Sequence, residues 1–231
     1  MVIKKIRDFL GLREPIPLAL DVACGTGQST VALKEIASRV VGTDVSREML
    51  ARAPREAGVR YVEASAEDLP FADGSFQLIT VALALHWFDR SRFLAEARRV
   101  LEPSGWLIIY DNRFFGEMKE NPKHERWYRE NYLVRYPSPP RDNEPLTYDE
   151  CRKHGLRFVE REIYTNEVSF SAEELASYLM TQSNVTAAVD DGAESPESVR
   201  EWLVESVAPM FEWPRGTFRF GGTIEYLQAV V

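Results

Sequence analysis

Apolar and polar positions fall into two alternating rhythms over the first half of the chain. Residues 18–23 (LALDVA) are apolar except for Asp21 and run straight into a glycine-rich turn, the pattern of a strand buried on both faces. Val31, Ala32, Leu33 and Ile36 then recur at helical spacing across residues 29–37. A second short strand at 40–43 ends on Asp44, and Ser46 caps a helix through Ala53 that Pro54 stops. Residues 59–62 read as a third strand. The first half of the apolar run 76–85 reads as a fourth, and 106–110, after the Pro103-Ser104-Gly105 turn, as a fifth. Phe93, Ala97, Val100 and Leu101 mark one face of the helix between the last two. Ahead of the first strand, Ile3, Ile6, Phe9 and Leu10 form a helical stripe. Strands alternating with helices imply right-handed crossovers and a doubly wound, mostly parallel α/β sheet covered on both faces.

The alternation stops after Asp111. Residues 112–147 are polar, aromatic and proline-bearing, with a helix expected over 123–132 and a stiff connector at 136–140 (YPSPP). Further on, the pattern predicts a helix at 148–154 stopped by Gly155 and a strand-like stretch at 158–168. A helix opens at the Ser171-Ala-Glu-Glu174 capping box and runs to about Met180. Residues 190–196 read as a loop and 196–211 as a helix. Residues 217–231 form extended segments broken at Gly221-Gly222. The organisation expected is an N-terminal helix (1–17), a cofactor-binding core (18–111), a cap insertion (112–157), and remaining core strands with helical cap elements (158–231).

Composition narrows the function. The formal net charge is −8, and a polyanion is bound through Lys and Arg, so nucleic acid is a poor partner for this chain. No apolar run reaches the roughly 20 residues of a bilayer span, and residues 1–10 lack the uninterrupted apolar core of a signal peptide. The two cysteines, Cys24 and Cys151, make no metal or disulfide pattern. No metal site is expected, and the location expected is cytoplasmic.

Chemistry concentrates at residues 21–27 (DVACGTG), between a strand and a helix, where Gly25 and Gly27 let backbone approach a ligand closely. Asp44 ends the next strand, where a carboxylate is placed to accept both hydroxyls of a ribose. A nucleoside-containing cofactor over the carboxyl ends of the strands follows. A dinucleotide fingerprint wants a third glycine three residues beyond Gly27, where Thr30 stands, which counts against NAD.

Residues 18–33 (LALDVACGTGQSTVAL) resemble motif I of the class I S-adenosylmethionine-dependent methyltransferases. Residues 40–53 (VVGTDVSREMLARA) resemble their second motif, residues 63–88 their third and fourth, and residues 92–110 the helix and strand that follow. The ALHWFD string at 84–89 resembles the methyltransferase type 11, trans-aconitate methyltransferase-like branch. The resemblance implies a Rossmann-like, seven-stranded sheet with the last strand antiparallel, a mainly helical cap after strand five, and S-adenosyl-L-methionine as cofactor. It gives Asp21 the role of orienting the glycine loop and the methionine moiety. Ala23, Gly25 and Gly27 pack the loop against it, and Asp44 holds the ribose. Val45 and Met49 flank the adenine, Ala66 and Glu67 stand where its edge is read, and the Ala82 backbone meets the methionine amino group. Ser65 stands where many relatives have Asp, so Glu67 or Asp68 is a candidate substitute.

Each role has a plainer counterpart. Asp21 would brace the loop with no ligand contact, Asp44 would cap the following helix, Val45 and Met49 would be core, and Cys24 a small buried filler. His86-Trp87 reads either as a base or hydrogen-bond partner beside an acceptor wall, or as a packed Trp with its His on backbone. Trp127, Tyr128, Tyr132 and Tyr136 are candidate aromatic walls, and Arg113, Arg126 and Arg129 candidate partners for an acidic acceptor. The activity expected is methyl transfer to a small molecule, with O-methylation of a carboxylic acid as the finer expectation. A nicotinamide-dependent oxidoreductase and a non-catalytic cofactor-binding or scaffold protein are the alternatives. The oligomeric state is not legible.

Overall fold

The computed structural model describes residues 1–138 and 144–230; Pro139 and Pro140 of the expected connector lie outside them. In chain order the elements are α1 (Val2–Leu10), β1 (Ile16–Val22), α2 (Gln28–Ala32), β2 (Ala37–Asp44), α3 (Arg47–Ala51), β3 (Val59–Glu63), β4 (Phe76–Ala82), α4 (Arg90–Val100) and β5 (Leu101–Tyr110). There follow β6 (Arg113–Met118), α5 (Lys123–Trp127), α6 (Leu133–Arg135), α7 (Tyr148–Lys153), β7 (Leu156–Phe170), α8 (Ala172–Met180), α9 (Ser183–Asp190), α10 (Pro196–Val207) and β8 (Gly216–Ala229). The chain divides into two compact units, residues 1–112 with 142–163 and 223–231, and residues 113–141 with 164–222. Residues 144–157, assigned to the cap on sequence, therefore group with the first unit. So does the first part of β7.

In the first unit the strands lie in the order β3-β2-β1-β4-β5-β8. All neighbours are parallel except β8, which runs antiparallel to β5 with Ile108 opposite Tyr226. This is the doubly wound sheet with an antiparallel last strand that the sequence implies. Successive residues of β5 face opposite sides of the sheet. On one side Leu107 and Ile109 join the buried cluster of Phe93, Leu94 and Ala97 from α4. On the other, Trp106 and Tyr226 meet Phe9 of α1, whose ring stacks on Tyr226 at 3.7 Å. Each fully buried Phe or Leu contributes about 1.5–3 kcal/mol, so both faces must be covered for the sheet to persist.

Three boundaries differ from the sequence pattern. The helix expected over 29–37 stops at Ala32 and tightens into a 3-10 turn at Leu33–Glu35, because Ile36 accepts from Ile16 at the start of the β1–β2 pairing. The Pro103-Ser104-Gly105 turn is a bulge inside β5: between Phe76↔Leu101 and Leu78↔Trp106, β5 has three residues more than β4, and Ser104 takes φ 62°. The break expected at Gly221-Gly222 is absent and β8 runs through it. Gly221 is needed instead for the close approach of the Tyr164 carbonyl, which a Cβ would strike.

The second unit holds two elements the pattern missed, β6 and α9. β6 pairs antiparallel with the first part of β8, Phe114 opposite Phe220, and with β7, which also pairs with β8, brings the sheet to eight strands. The core gathers Phe114, Trp127, Tyr132, Tyr136, Leu175, Leu179, Val199, Leu203 and Phe218. Trp127, Tyr132 and Tyr136 are thus buried packing of this unit and not open walls, while Arg126 and Arg129 lie on the exposed side of the same stretch.

His124 is fully buried there, and its Nδ1 carries the hydrogen that the Gly116 carbonyl accepts at 2.8 Å. Burial pushes its pKa below the ordinary value of 6.5, against the raising effect of that hydrogen bond. The unfolded chain then takes up the proton first. The stability His124 contributes is complete above about pH 6.5 and is lost as pH falls through the window beneath it. Urea midpoints at pH 7.5 and 5.5 check this. His124→Asn, which keeps a donor for Gly116, should show the smaller drop.

Among the described residues no helix is long and apolar enough to cross a membrane, and no group of three His, Cys, Asp or Glu is placed to hold a metal.

Candidate functional site

The site is built at the carboxyl tips of β1, β2 and β4, all in the first unit. Residues 23–27 coil there because Ala23, Gly25 and Gly27 take φ of 54°, 55° and 77°. Cys24 donates its N–H to the Thr43 carbonyl at 2.9 Å and Gly27 donates to Cys24 at 2.9 Å, which closes the turn. Ala23 and Leu83 are two of only three non-glycine residues with positive φ among the described residues. They follow the adjacent strands β1 and β4, so backbone strain is concentrated at this edge of the sheet.

The two loop glycines have different duties. A Cβ on Gly27 would overlap the Tyr61 hydroxyl and come within 2.7 Å of its ring, so Tyr61 of β3 packs under the loop. A Cβ on Gly25 would meet nothing within 4 Å. It would project into open space above the loop. Gly27→Ala should therefore cost about 2–4 kcal/mol of stability through strain and overpacking. Gly25→Ala should cost only the conformational strain, about 1–2 kcal/mol, and act on ligand affinity. Thermal melts of the two variants, each with and without ligand, separate the effects.

Asp21 is fully buried beneath the loop. Its Oδ2 accepts from the Ser29 hydroxyl and, at 2.7 Å, from Thr30; its Oδ1 accepts from Thr80 of β4 at 2.8 Å. Burial raises its pKa, and the three hydroxyl donors oppose that rise. Its observed work is bracing: it ties the start of α2 and the neighbouring strand to the tip of β1.

Asp44 is half-buried at the tip of β2. One oxygen accepts the N–H of Gly25 at 2.8 Å and the other the N–H of Ser46 at 2.9 Å. The cap of α3 is Ser46, whose Oγ accepts from Met49. Asp44 thus holds the glycine loop and the α3 turn together and presents its carboxylate beside Gly25. Val45 and Met49 are not core, being 69 % and 42 % exposed. Cys24 is buried, and desolvation with the nearby Asp21 pushes its thiol up to about 12, so it is an inert filler and no nucleophile.

On the β3 side, Ala66 is buried and Glu67 is engaged twice, by the Ser65 hydroxyl and by the N–H of Asp89 at 2.9 Å. Burial opposes ionisation of Glu67, but the donors from Ser65 and Asp89 prevail and hold its pKa below the ordinary carboxylate value. Ser65 therefore points its hydroxyl at Glu67, and Asp68 is exposed. On the β4 side, Ala82 is the last strand residue and the Leu83 N–H donates to the Tyr110 carbonyl at 2.9 Å. Leu85–Trp87 form a 3-10 turn. Trp87 is 61 % exposed with its ring 4.8 Å from that of His86, so the packed-Trp reading does not hold.

Sequence reasoning missed Tyr61, Leu83 and the three hydroxyls on Asp21. Only strand register brings Thr80 opposite Asp21, and nothing local announces it. The Tyr61 hydroxyl is buried with no hydrogen-bond partner, and burial raises its pKa.

Open space over Gly25, a carboxylate bonded to its N–H, and exposed Val45 and Met49 in the segment that follows that carboxylate are features a nucleoside site needs. Residues 20–109 match the family described as methyltransferase domain. A Dictyostelium discoideum protein provisionally named a methyltransferase is 29 % identical over 82 % of this chain and 73 % of its own length. A demethylmenaquinone methyltransferase of Thermus thermophilus is 41 % identical over 44 % of this chain and 50 % of its own. The chain spans about half the length or less of that relative and the next ones like it. Among solved structures, a provisionally named type II methyltransferase from Anaeromyxobacter dehalogenans aligns with a TM-score of 0.68 at 25 % identity. That alignment covers 98 % of this chain and 95 % of the other.

Proposed function

The chain belongs to the class I S-adenosylmethionine-dependent methyltransferases, and from that premise we propose that it moves a methyl group onto a small-molecule acceptor beside Trp87. The observation that carries the proposal is the cradle: Gly25 open above the loop, the Asp44 carboxylate bonded to its N–H, and Val45 and Met49 exposed in the segment that follows Asp44. These residues fit S-adenosylmethionine. Asp44 takes the ribose hydroxyls, Val45 and Met49 sandwich the adenine, the Ala66 backbone meets its edge, Ala23, Gly25 and Gly27 admit the methionine moiety, and Ala82 offers it backbone. When bound, the cofactor supplies a methyl group already activated on a sulfonium, so the protein needs no nucleophile of its own. What remains for the chain is to align the acceptor at about 3–3.5 Å and to exclude water.

In this reading the exposed indole of Trp87 is the acceptor wall. In the same reading His86 hydrogen-bonds the acceptor, or takes its proton where the acceptor is a phenol or an amine. A carboxylic acid needs no base and remains the finer reading, carried by the likeness of residues 84–89 to the trans-aconitate branch. The arginines 126 and 129, exposed on the second unit, lend it no support. A second reading, an acceptor with an aromatic ring, is favoured by the flat exposed surface of Trp87 and by the match to a demethylmenaquinone methyltransferase.

The test is transfer of radiolabelled methyl from the cofactor to two panels, small carboxylic acids and phenols or quinols. Product in the first panel supports O-methylation of an acid, and product in the second supports the ring-bearing acceptor. His86→Ala should lower turnover in the second panel alone. Cofactor binding with no product in either would favour the non-catalytic alternative, and binding of NAD in preference would favour the oxidoreductase.

A further inference from the structure

The geometry points to Glu67 as a positioning residue for the segment that carries His86 and Trp87, an inference that rests on the methyl-transfer reading above. Glu67 sits in the turn that leaves β3. Its Oε2 accepts from the Ser65 hydroxyl inside that turn, and its Oε1 reaches out to accept the N–H of Asp89 at 2.9 Å. Asp89 is the N-cap of α4, its side chain accepting from Arg92 at 3.1 Å. The N–H of an N-cap residue has no acceptor within its own helix. Glu67 supplies that acceptor from another element, in a charge-assisted bond.

The consequence is a short bridge pinned at both ends. Leu83 is fixed by its N–H to the Tyr110 carbonyl, and Asp89 by Glu67. Only five residues lie between them, and His86 and Trp87 are two of these. The indole is mostly exposed, so packing alone does not hold it. The same turn is joined to α4 again further along. Glu96 accepts the Leu69 N–H at 2.7 Å, and Arg99 donates to the carbonyls of Leu69 and Phe71. Those ties do not depend on Glu67. Removing its carboxylate should leave the helix docked and loosen the bridge. The turn where the resemblance places a reader of the adenine edge thus acts, through Glu67, on the acceptor side of the site.

Amide hydrogen exchange of the full chain, read by mass spectrometry, tests this together with calorimetry on S-adenosylhomocysteine and the methyl-transfer assay. In Glu67→Ala, exchange across residues 83–90 should rise about tenfold or more, with β1 and β2 unchanged. Turnover should fall about tenfold while S-adenosylhomocysteine affinity moves less than about threefold. Glu67→Gln keeps a carbonyl for the Asp89 N–H and should restore both exchange and turnover to within about threefold of wild type. Unchanged exchange across 83–90 in Glu67→Ala overturns the proposal. So does a loss of S-adenosylhomocysteine affinity of about tenfold in both variants, which would make Glu67 a cofactor contact. If the wild-type chain does not bind S-adenosylhomocysteine, the methyl-transfer reading fails, and the exchange comparison still decides whether Glu67 pins the bridge.

Discussion

Replacing Asp44 by alanine should lower the affinity for S-adenosylhomocysteine by about 100-fold or more, the largest effect on binding expected of any single side chain here. Two losses combine. The carboxylate proposed to take the ribose hydroxyls disappears, and hydrogen bonds to charged groups contribute about 1.5–3 kcal/mol each. At the same time the N–H groups of Gly25 and Ser46 lose their acceptor, so the glycine loop and the α3 turn are no longer tied to the tip of β2. Asp44→Asn keeps one acceptor oxygen and should fall between wild type and alanine. Calorimetry on the three proteins checks the order. Equal affinities would place the nucleoside elsewhere.

Among the side-chain truncations, the largest effect on stability belongs to Asp21. Asp21→Ala removes the common acceptor of the Ser29, Thr30 and Thr80 hydroxyls in a site with no solvent exposure. A buried donor left without its partner costs about 1–3 kcal/mol, and hydroxyls recover part of this by rotating, so a total of about 3 kcal/mol is expected. At about 2–4 °C per kcal/mol for a chain of this size, the melting temperature should fall by roughly 6–12 °C. Asp21→Asn, which still accepts through one oxygen, should lose less. A melt within 2 °C or so of wild type for Asp21→Ala would show that the three hydroxyls find other partners and that the brace is dispensable.

The contrast between these two aspartates shows what a sequence can disclose. Asp21 is conspicuous as the lone acid inside an apolar strand, and Asp44 as the acid that ends the next one. Asp44 could be assigned a ligand-facing role because it ends the strand that follows the glycine-rich turn. The bracing of Asp21 depends on Thr80, fifty-nine residues away, and becomes visible only once β4 lies beside β1. The strands of the first half were legible because buried parallel strands are written as unbroken apolar runs. Their ends were less so, as α2 and the β5 bulge illustrate, since tight turns and bulges are set by pairing with neighbours. In the second unit the periodic signal is weak. β6 (RFFGEM) has a glycine in its middle, and α9 (SNVTAAVD) buries only Asn184 and Val185. The aromatic side chains expected to line an acceptor pocket instead fill that unit's core, because a large ring gains more from burial than exposure offers it. Trp87 and Leu83 are among the large apolar side chains that stay exposed, as are Val45 and Met49, and these four follow the tips of β4 and β2.

Titration of the purified full chain with S-adenosylhomocysteine tests the central claim most directly, namely that the tips of β1 and β2 hold an adenosyl ligand. A single site with a dissociation constant on the order of 10 µM or tighter, weakened by Gly25→Ala without a matching loss of fold, is the expected result. Absence of heat at millimolar ligand, with the protein folded, would contradict it.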